Sequence, residues 1–142
     1  ERYQGYLDAL RIYGVDHDES LIQYWQRDTG FQQSPATLLK IKNAPTAFFT
    51  QHLAITTDLL KELDEQKIEI PKQVSVLGFD EIPMVEMFKV PITVVQQDPY
   101  QLGEESAKLL LGKLLSPDSS VEIKKIIVPC ALVIRSSCQS IN

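Results

Sequence analysis

Apolar and polar residues alternate along this chain in blocks whose spacing switches repeatedly between a helical and an extended period. The opening run, Glu1-Arg-Tyr-Gln-Gly-Tyr-Leu-Asp-Ala-Leu10, places Tyr3, Tyr6, Leu7 and Leu10 on one helical face, and Gly14 offers a left-handed cap after about Tyr13. Leu21-Ile-Gln-Tyr-Trp25 then predicts a strand. A polar turn, Gln26-Arg-Asp-Thr29, leads to Gly30 and a predicted helix through about Ile41 carrying Phe31, Ala36, Leu38 and Leu39. After the turn Asn43-Ala-Pro45, Thr46-Ala-Phe-Phe-Thr50 predicts the next strand. Gln51 and His52 open a helix to about Gln66, striped by Leu53, Thr56, Leu59, Leu60 and Leu63, with Lys61, Glu62 and Asp64 outside.

The second half repeats the alternation. Val74-Ser-Val-Leu-Gly-Phe-Asp80 is a short apolar run with β-branched residues, the pattern of a central parallel strand buried on both faces. Residues 81–89 form a short irregular or helical stretch, and Pro91-Ile-Thr-Val-Val95 predicts another strand. Pro99 suits a first helical position, and Leu102, Ala107, Leu109, Leu110 and Leu114 stripe a long helix to Leu115. A surface loop at 116–120, two extended pieces at 121–127 and 131–135 separated by Pro129, and a polar tail complete the chain. Strand and helix alternating throughout specify an α/β fold, a parallel sheet with helices on both faces.

Composition narrows the function classes. The 142 residues fit one ordinary domain, and 44% hydrophobic content supports a packed core. A net charge of -5 argues against this segment itself holding a nucleic-acid backbone, since the densest basic cluster is only Lys124-Lys125. Cys130 and Cys138 occur without a secretory segment or a long apolar span, which points to free thiols in a reducing cytoplasm, with a disulfide between them the alternative. The start at Glu1, already inside a helical pattern, has the look of the interior of a longer protein.

Candidate chemistry gathers where predicted strands finish. In open α/β sheets ligands bind just outside the carboxyl ends of the strands, and Trp25, His52 and Asp80 fall at three such ends. Each has a plainer reading: Asp80 as the cap of a following helix, with equal weight; Trp25 as a packing residue; His52 as a cap or a solvated side chain. Asp16-His-Asp-Glu19 is a polar loop rather than a metal site, because ligands must converge from separate elements. Neither GxGxxG, GxxxxGK[ST] nor GxSxG occurs, so nucleotide binding and serine hydrolysis have no positive support, and no cofactor or metal is expected.

Several segments, taken together and in order, resemble the effector-binding region of the lactose- and galactose-repressor (LacI/GalR) family of bacterial transcription regulators. They are Arg2-x-x-Gly5-Tyr6-x-x-Ala9-Leu10, Pro45-Thr-Ala-Phe-Phe49, Ile70-Pro-Lys-Gln-Val-Ser-Val-Leu-Gly-Phe-Asp80, Pro91-Ile-Thr-Val-Val-Gln96, Leu102-Gly103 and Leu132-Val-Ile-Arg-Ser136. The resemblance implies a fold like periplasmic sugar-binding proteins, two α/β lobes with a small molecule between them. Residues 1–97 would be most of the second lobe, 98–127 part of the first, and 128–142 the return to the second and the tail. A DNA-binding domain, most of the first lobe and the strand that ordinarily precedes Glu1 would lie elsewhere.

By the same resemblance Arg2 would donate to sugar hydroxyls or to a base, Asp80 would accept from the same ligand, Trp25 would stack on the apolar face of a sugar, and Gln97 would stand near the cleft. His52 occupies a place where many members have Asn, and Leu53 one where they have Asp, which alters the hydrogen-bonding edge and with it the ligand. The expectation is a cytoplasmic, non-catalytic, homodimeric regulator that binds a sugar-like effector and acts on operator DNA through a domain outside this chain. The rivals are a secreted solute-binding protein of the same architecture and a small enzyme using Asp80 and His52 as acid and base.

Overall fold

The structure, a computed structural model, describes residues 1–115 and 124–140. Its centre is a four-stranded sheet of β3 (Ala47–Phe49), β4 (Ser75–Phe79), β5 (Thr93–Gln96) and β6 (Ala131–Val133), hydrogen-bonded in that order. The first three strands run parallel, with Ala47 opposite Ser75 and Leu77 opposite Thr93. The last is antiparallel, with Gln96 opposite Ala131. After β5 the chain leaves through α3 (Pro99–Leu115) and re-enters at the same rim, so β6 has to run back down the sheet. The predicted parallel sheet is therefore a mixed one with an antiparallel edge.

One face of the sheet is sealed by α2 (Leu53–Glu65). Three positions of its predicted stripe, Thr56, Leu59 and Leu63, are fully buried, the two leucines against Val74, Val76, Ile92 and Val94. Burying each such aliphatic side chain contributes about 1.5–3 kcal/mol, which makes this layer the main source of stability. Helix and sheet approach closely at Gly78, where a Cβ would stand 3.2 Å from Val94 Cγ1 and 3.4 Å from Thr56 Cγ2. The opposite face is half-open, with Phe49 and Ala47 exposed.

The helix α1 (Arg2–Ile12) lies on the surface with no buried residue and stops as the sequence predicts. Gly14, at φ 66°, donates to Arg11 O while Val15 donates to Leu10 O at 2.9 Å, a paired closure that only a left-handed residue allows. Pro99 opens α3 as expected, and Asp98 Oδ1 accepts from Gln101 N at 2.9 Å. Most of the leucine stripe of α3 is uncovered among the described residues: Leu102, Leu110 and Leu114 are exposed and Leu109 is half-buried.

Three expectations are corrected. The predicted strand at 21–25 is not part of the sheet. Glu19–Leu21 is a 3-10 turn held by Asp18, and β1 (Trp25–Gln26) folds back on β2 (Gly30–Phe31) as a two-residue antiparallel pair. The polar turn between them and Gly30, at φ 72°, close the hairpin locally before the segment can reach the sheet. The predicted helix from Gly30 to Ile41 contracts to a 3-10 segment, Pro35–Lys40, because Pro35 restricts Ser34 to extended backbone. Its start is capped from α2, where Glu62 Oε1 accepts from Ala36 N at 3.0 Å and from Ser34 Oγ.

The third correction concerns the polar tail. Ser137 is fully buried; its Oγ accepts from Thr93 N at 2.8 Å and donates to Val76 O at 2.6 Å. Cys130 and Cys138 are free thiols. The loop predicted at 116–120 and the first part of the extended piece at 121–127 lie outside the described residues.

Candidate functional site

The carboxyl ends of β3, β4 and β5 deliver Gln51, Asp80 and Gln97 to one rim, and the first turn of α1 lays Arg2 across them. Arg2 is held from three sides. Its Nη1 donates to Gln51 O at 2.5 Å, its guanidinium carbon lies 3.7 Å from the centre of the Phe79 ring, and its Nη2 is 4.0 Å from Asp80 Oδ2. A cation over an aromatic face contributes about 0.5–2 kcal/mol, and the planar fork fixes the direction of the remaining donors. The guanidinium is thus oriented before any ligand arrives.

Asp80 continues the ladder through its own N–H, which donates to Val95 O at 2.9 Å, and then turns away at φ 71°. Few residues other than Gly accept that conformation, and Asp is one of them. Its Oδ1 accepts from Gln97 Nε2 at 2.6 Å. A carboxylate offers about four lone-pair sites, so two or so stay open beyond Gln97 and Arg2. Arg2 and Asp80 each keep about a third of their side chain in water, 34% and 30%. Here a small polyhydroxy molecule would find a charged donor, a charged acceptor and an amide that is both.

These groups border an open cleft of about 570 Å³ lined by Arg2, Tyr3, Gln51, Phe79, Gln97 and Cys130, together with Glu1. Asp80 stands behind Arg2 and Gln97, hydrogen-bonded to Gln97 and 4.0 Å from the Arg2 guanidinium. A second cavity, about 590 Å³, separates the free edge of β3 from residues 21–25 and is walled mainly by Phe48, Phe49, Tyr24, Trp25, Ile55 and Leu77. It carries no charged side chain, so its lining is mainly apolar and aromatic. The first cleft is the better candidate on chemistry.

Of the residues singled out from the sequence, Arg2 and Gln97 line the cleft and Asp80 stands behind them, whereas Trp25 and His52 neither line it nor contact that group. Trp25 sits in β1 instead of at the end of a sheet strand, donates through Nε1 to Asp58 at 2.6 Å, and lines the apolar cavity. Tyr3 and Gln51 line both spaces, so Trp25 is a neighbour of the cleft. His52 is the N-cap of α2: its Nδ1 accepts from Ala54 N at 3.1 Å, and the side chain is exposed. That nitrogen is engaged in capping α2, and the ring lies outside the cleft.

Sequence reasoning missed Gln51, whose backbone carbonyl is the contact, and Phe79, which reads as a core strand residue. The available signal was register: Phe79 precedes Asp80 at the end of β4, and Gln51 follows the end of β3.

Residues 1–138 match the family model of the periplasmic binding protein-like domain. The chain is 29% identical over 143 residues to the HTH-type transcriptional repressor CytR of Escherichia coli (strain K12), covering 99% of this chain and 41% of the relative. It is 28% identical over 144 residues to the HTH-type transcriptional repressor PurR of Vibrio atlanticus (strain LGP32), covering 100% and 42%. The chain thus spans about two-fifths of the length of these curated relatives. Among solved structures, a LacI family transcriptional regulator from Enterococcus faecium with bound ribose superposes with a TM-score of 0.79 at 30% identity, over 99% of this chain and 52% of that one. The mixed sheet, the carboxyl-end cleft and a match across nearly the full length agree: the chain belongs to the periplasmic binding protein-like domain family, in the form carried by LacI-family transcription regulators.

Proposed function

We propose that this chain is the effector-binding portion of a LacI-type transcription regulator, and that a sugar or sugar-derived molecule binds at the cleft of Arg2, Asp80 and Gln97. The observation that carries the reading is the preset guanidinium–carboxylate pair at the carboxyl rim of the sheet. Vicinal hydroxyls each donate and accept, so one can accept from Arg2 while its neighbour donates to Asp80 Oδ2. Gln97, already bonded to Asp80, holds that carboxylate in place as the hydroxyl arrives. The relative with bound ribose supports a carbohydrate as the ligand class.

In this reading residues 1–97 and 128–142 form one lobe and residues 98–127 belong to the other. The absence of any buried residue in α3, with most of its leucines exposed, supports that assignment. Effector held between lobes biases their relative angle, and a homodimer in the cytoplasm transmits the bias to operator-binding heads outside this chain. Coupling of this kind is typically worth about 1–3 kcal/mol, a several-fold to hundredfold change in operator occupancy.

The test is calorimetry of the full-length protein with D-ribose and a panel of other pentoses and hexoses, comparing wild type with Asp80→Asn and Arg2→Leu. A hydrogen bond to a charged group contributes about 1.5–3 kcal/mol, so each variant should bind about 10- to 150-fold more weakly. Unchanged affinity in both variants for a sugar that binds the wild type would overturn the assignment.

A further inference from the structure

The left-handed turn at Asp80 is fastened from outside the cleft. Glu81, the next residue, accepts from its own neighbour Ile82 N through Oε1 at 3.0 Å and from Arg135 Nη2 through Oε2 at 2.7 Å. Arg135 follows β6 and is anchored at two further points, Nη1 to Ile92 O at 2.7 Å and its backbone N to Thr93 Oγ1 at 2.9 Å. Both side chains are largely shielded, 19% and 33% exposed. One guanidinium therefore ties the residue after Asp80 to the head of β5, the strand whose far end carries Gln97.

The geometry points to Arg135 and Glu81 as positioning residues for Asp80; we propose that their ion pair holds the chain in the positive-φ turn that aims the Asp80 carboxylate at Gln97 and Arg2. The inference rests on the reading of Asp80 as the acceptor for ligand. Positive φ costs less for Asp than for most residues with a Cβ but is still less favourable than negative φ, so contacts on its neighbours help the turn persist. On one side Asp80 N is bonded to Val95 O; on the other, Glu81 is the first residue able to resist relaxation. Beyond it Ile82 and Val85 are buried in the core, which makes Glu81 the hinge between a fixed strand and a fixed loop. Removing the pair should let Asp80 relax toward negative φ and swing its carboxylate off Gln97.

The experiment uses the full-length protein, 15N-labelled at glutamine side chains, in wild-type, Asp80→Asn, Arg135→Gln, Arg135→Lys and Glu81→Gln forms. The Gln97 amide resonances report the bond to Asp80 without any ligand, and a D-ribose titration reports binding. Arg135→Gln and Glu81→Gln are expected to move the Gln97 signal in the same direction as Asp80→Asn and to weaken D-ribose binding about tenfold. Adding Arg135→Gln to Asp80→Asn should change affinity no further. Arg135→Lys, which can keep the charge on Glu81 but not the second bond to Ile92, should fall between. A role confined to stability would lower the melting temperature and leave the Gln97 signal in place, and that result overturns the proposal. Should Arg135→Gln not fold, Glu81→Gln carries both readouts. If Gln97 responds to the latch variants but Asp80→Asn binds D-ribose as wild type does, the latch stands and the effector-site reading fails.

Discussion

Replacing Ser137 by alanine isolates one buried hydroxyl on which the sheet depends. Pairing between β4 and β5 begins with Leu77 opposite Thr93, so the peptide groups of Val76 lack a partner on that side. Ser137 fills the gap with both backbone and side chain: Val76 N donates to Ser137 O at 2.9 Å, and the hydroxyl bridges Thr93 N and Val76 O. Alanine keeps the backbone bond and loses the bridge. Thr93 N–H, in a residue 4% exposed, is then left without an acceptor, a loss worth about 1–3 kcal/mol for a buried group. Val76 O retains the weak Cys138 Sγ–H donor at 3.3 Å, which keeps its share near the lower end. The sum is about 2–4 kcal/mol, against a total of roughly 7–20 kcal/mol for a chain of this size.

Urea unfolding should register this as a lower midpoint at constant slope, and melting should fall by on the order of 10 °C. Amide exchange locates the effect: Thr93 should exchange far faster in the variant, with Val94 little changed. A loss under about 0.5 kcal/mol, or an unchanged Thr93 rate, would refute the account of the hydroxyl as the partner that completes the head of β5.

Gly78→Val places two further methyls where a bare Cβ already meets Val94 and Thr56, and should cost about 1–3 kcal/mol in urea unfolding; an unchanged midpoint would mean α2 stands farther from the sheet. Trp25→Phe removes the donor to Asp58 while keeping most of the ring, so it should lower stability by about 1 kcal/mol and leave D-ribose binding unaltered, both read on the full-length protein. Hydrogen bonds from the Ser20 hydroxyl and backbone hold the Asp18 carboxyl below its ordinary value of 3.8. A depressed folded value contributes stability above the ordinary value that is lost as pH falls through the folded midpoint. Carbon-detected titration should therefore place Asp18 low in the wild type and closer to 3.8 in Ser20→Ala, and identical midpoints would contradict the cause.

Local signals predicted what local physics decides. The strands β3, β4 and β5 fall inside apolar runs bounded by turn residues, α2 follows its leucine stripe, and Gly14 and Pro99 sit at the helix ends where their backbone preferences are useful. The failures are of a different kind. Residues 21–25 have strand composition, but the short polar turn at residues 27–29 and a positive-φ glycine close a hairpin with neighbours nearer in sequence than the sheet. The reversed direction of β6 depends on where α3 returns the chain, which no periodicity encodes. Burial of Ser137 depends on a gap between two strands far from it in sequence, so Ser136-Ser137-Cys138 reads as a polar tail.

The candidate site was legible to the extent that strand ends mark it, and the two junction residues, His52 and Asp80, differ in what claims their side chains. Any residue between a strand and a following helix competes with that helix's unsatisfied N–H groups for its own acceptor atoms. At His52 the helix wins: Ala54 N claims Nδ1, and the imidazole serves as a cap. At Asp80 the same outcome carried equal weight on sequence, because Glu81, Ile82 and Pro83 follow it. There no helix follows directly: the next element is the 3-10 turn Val85–Met87, whose N-cap is Met84. Pro83 has no N–H, and Glu81 satisfies Ile82 N with its own carboxylate while Arg135 fixes it from behind. The Asp80 carboxylate is left to Gln97 and Arg2. A strand-end acid thus keeps its carboxylate free of capping where no helix begins directly behind it, and a proline three residues on, as at Pro83, is a sequence sign of that.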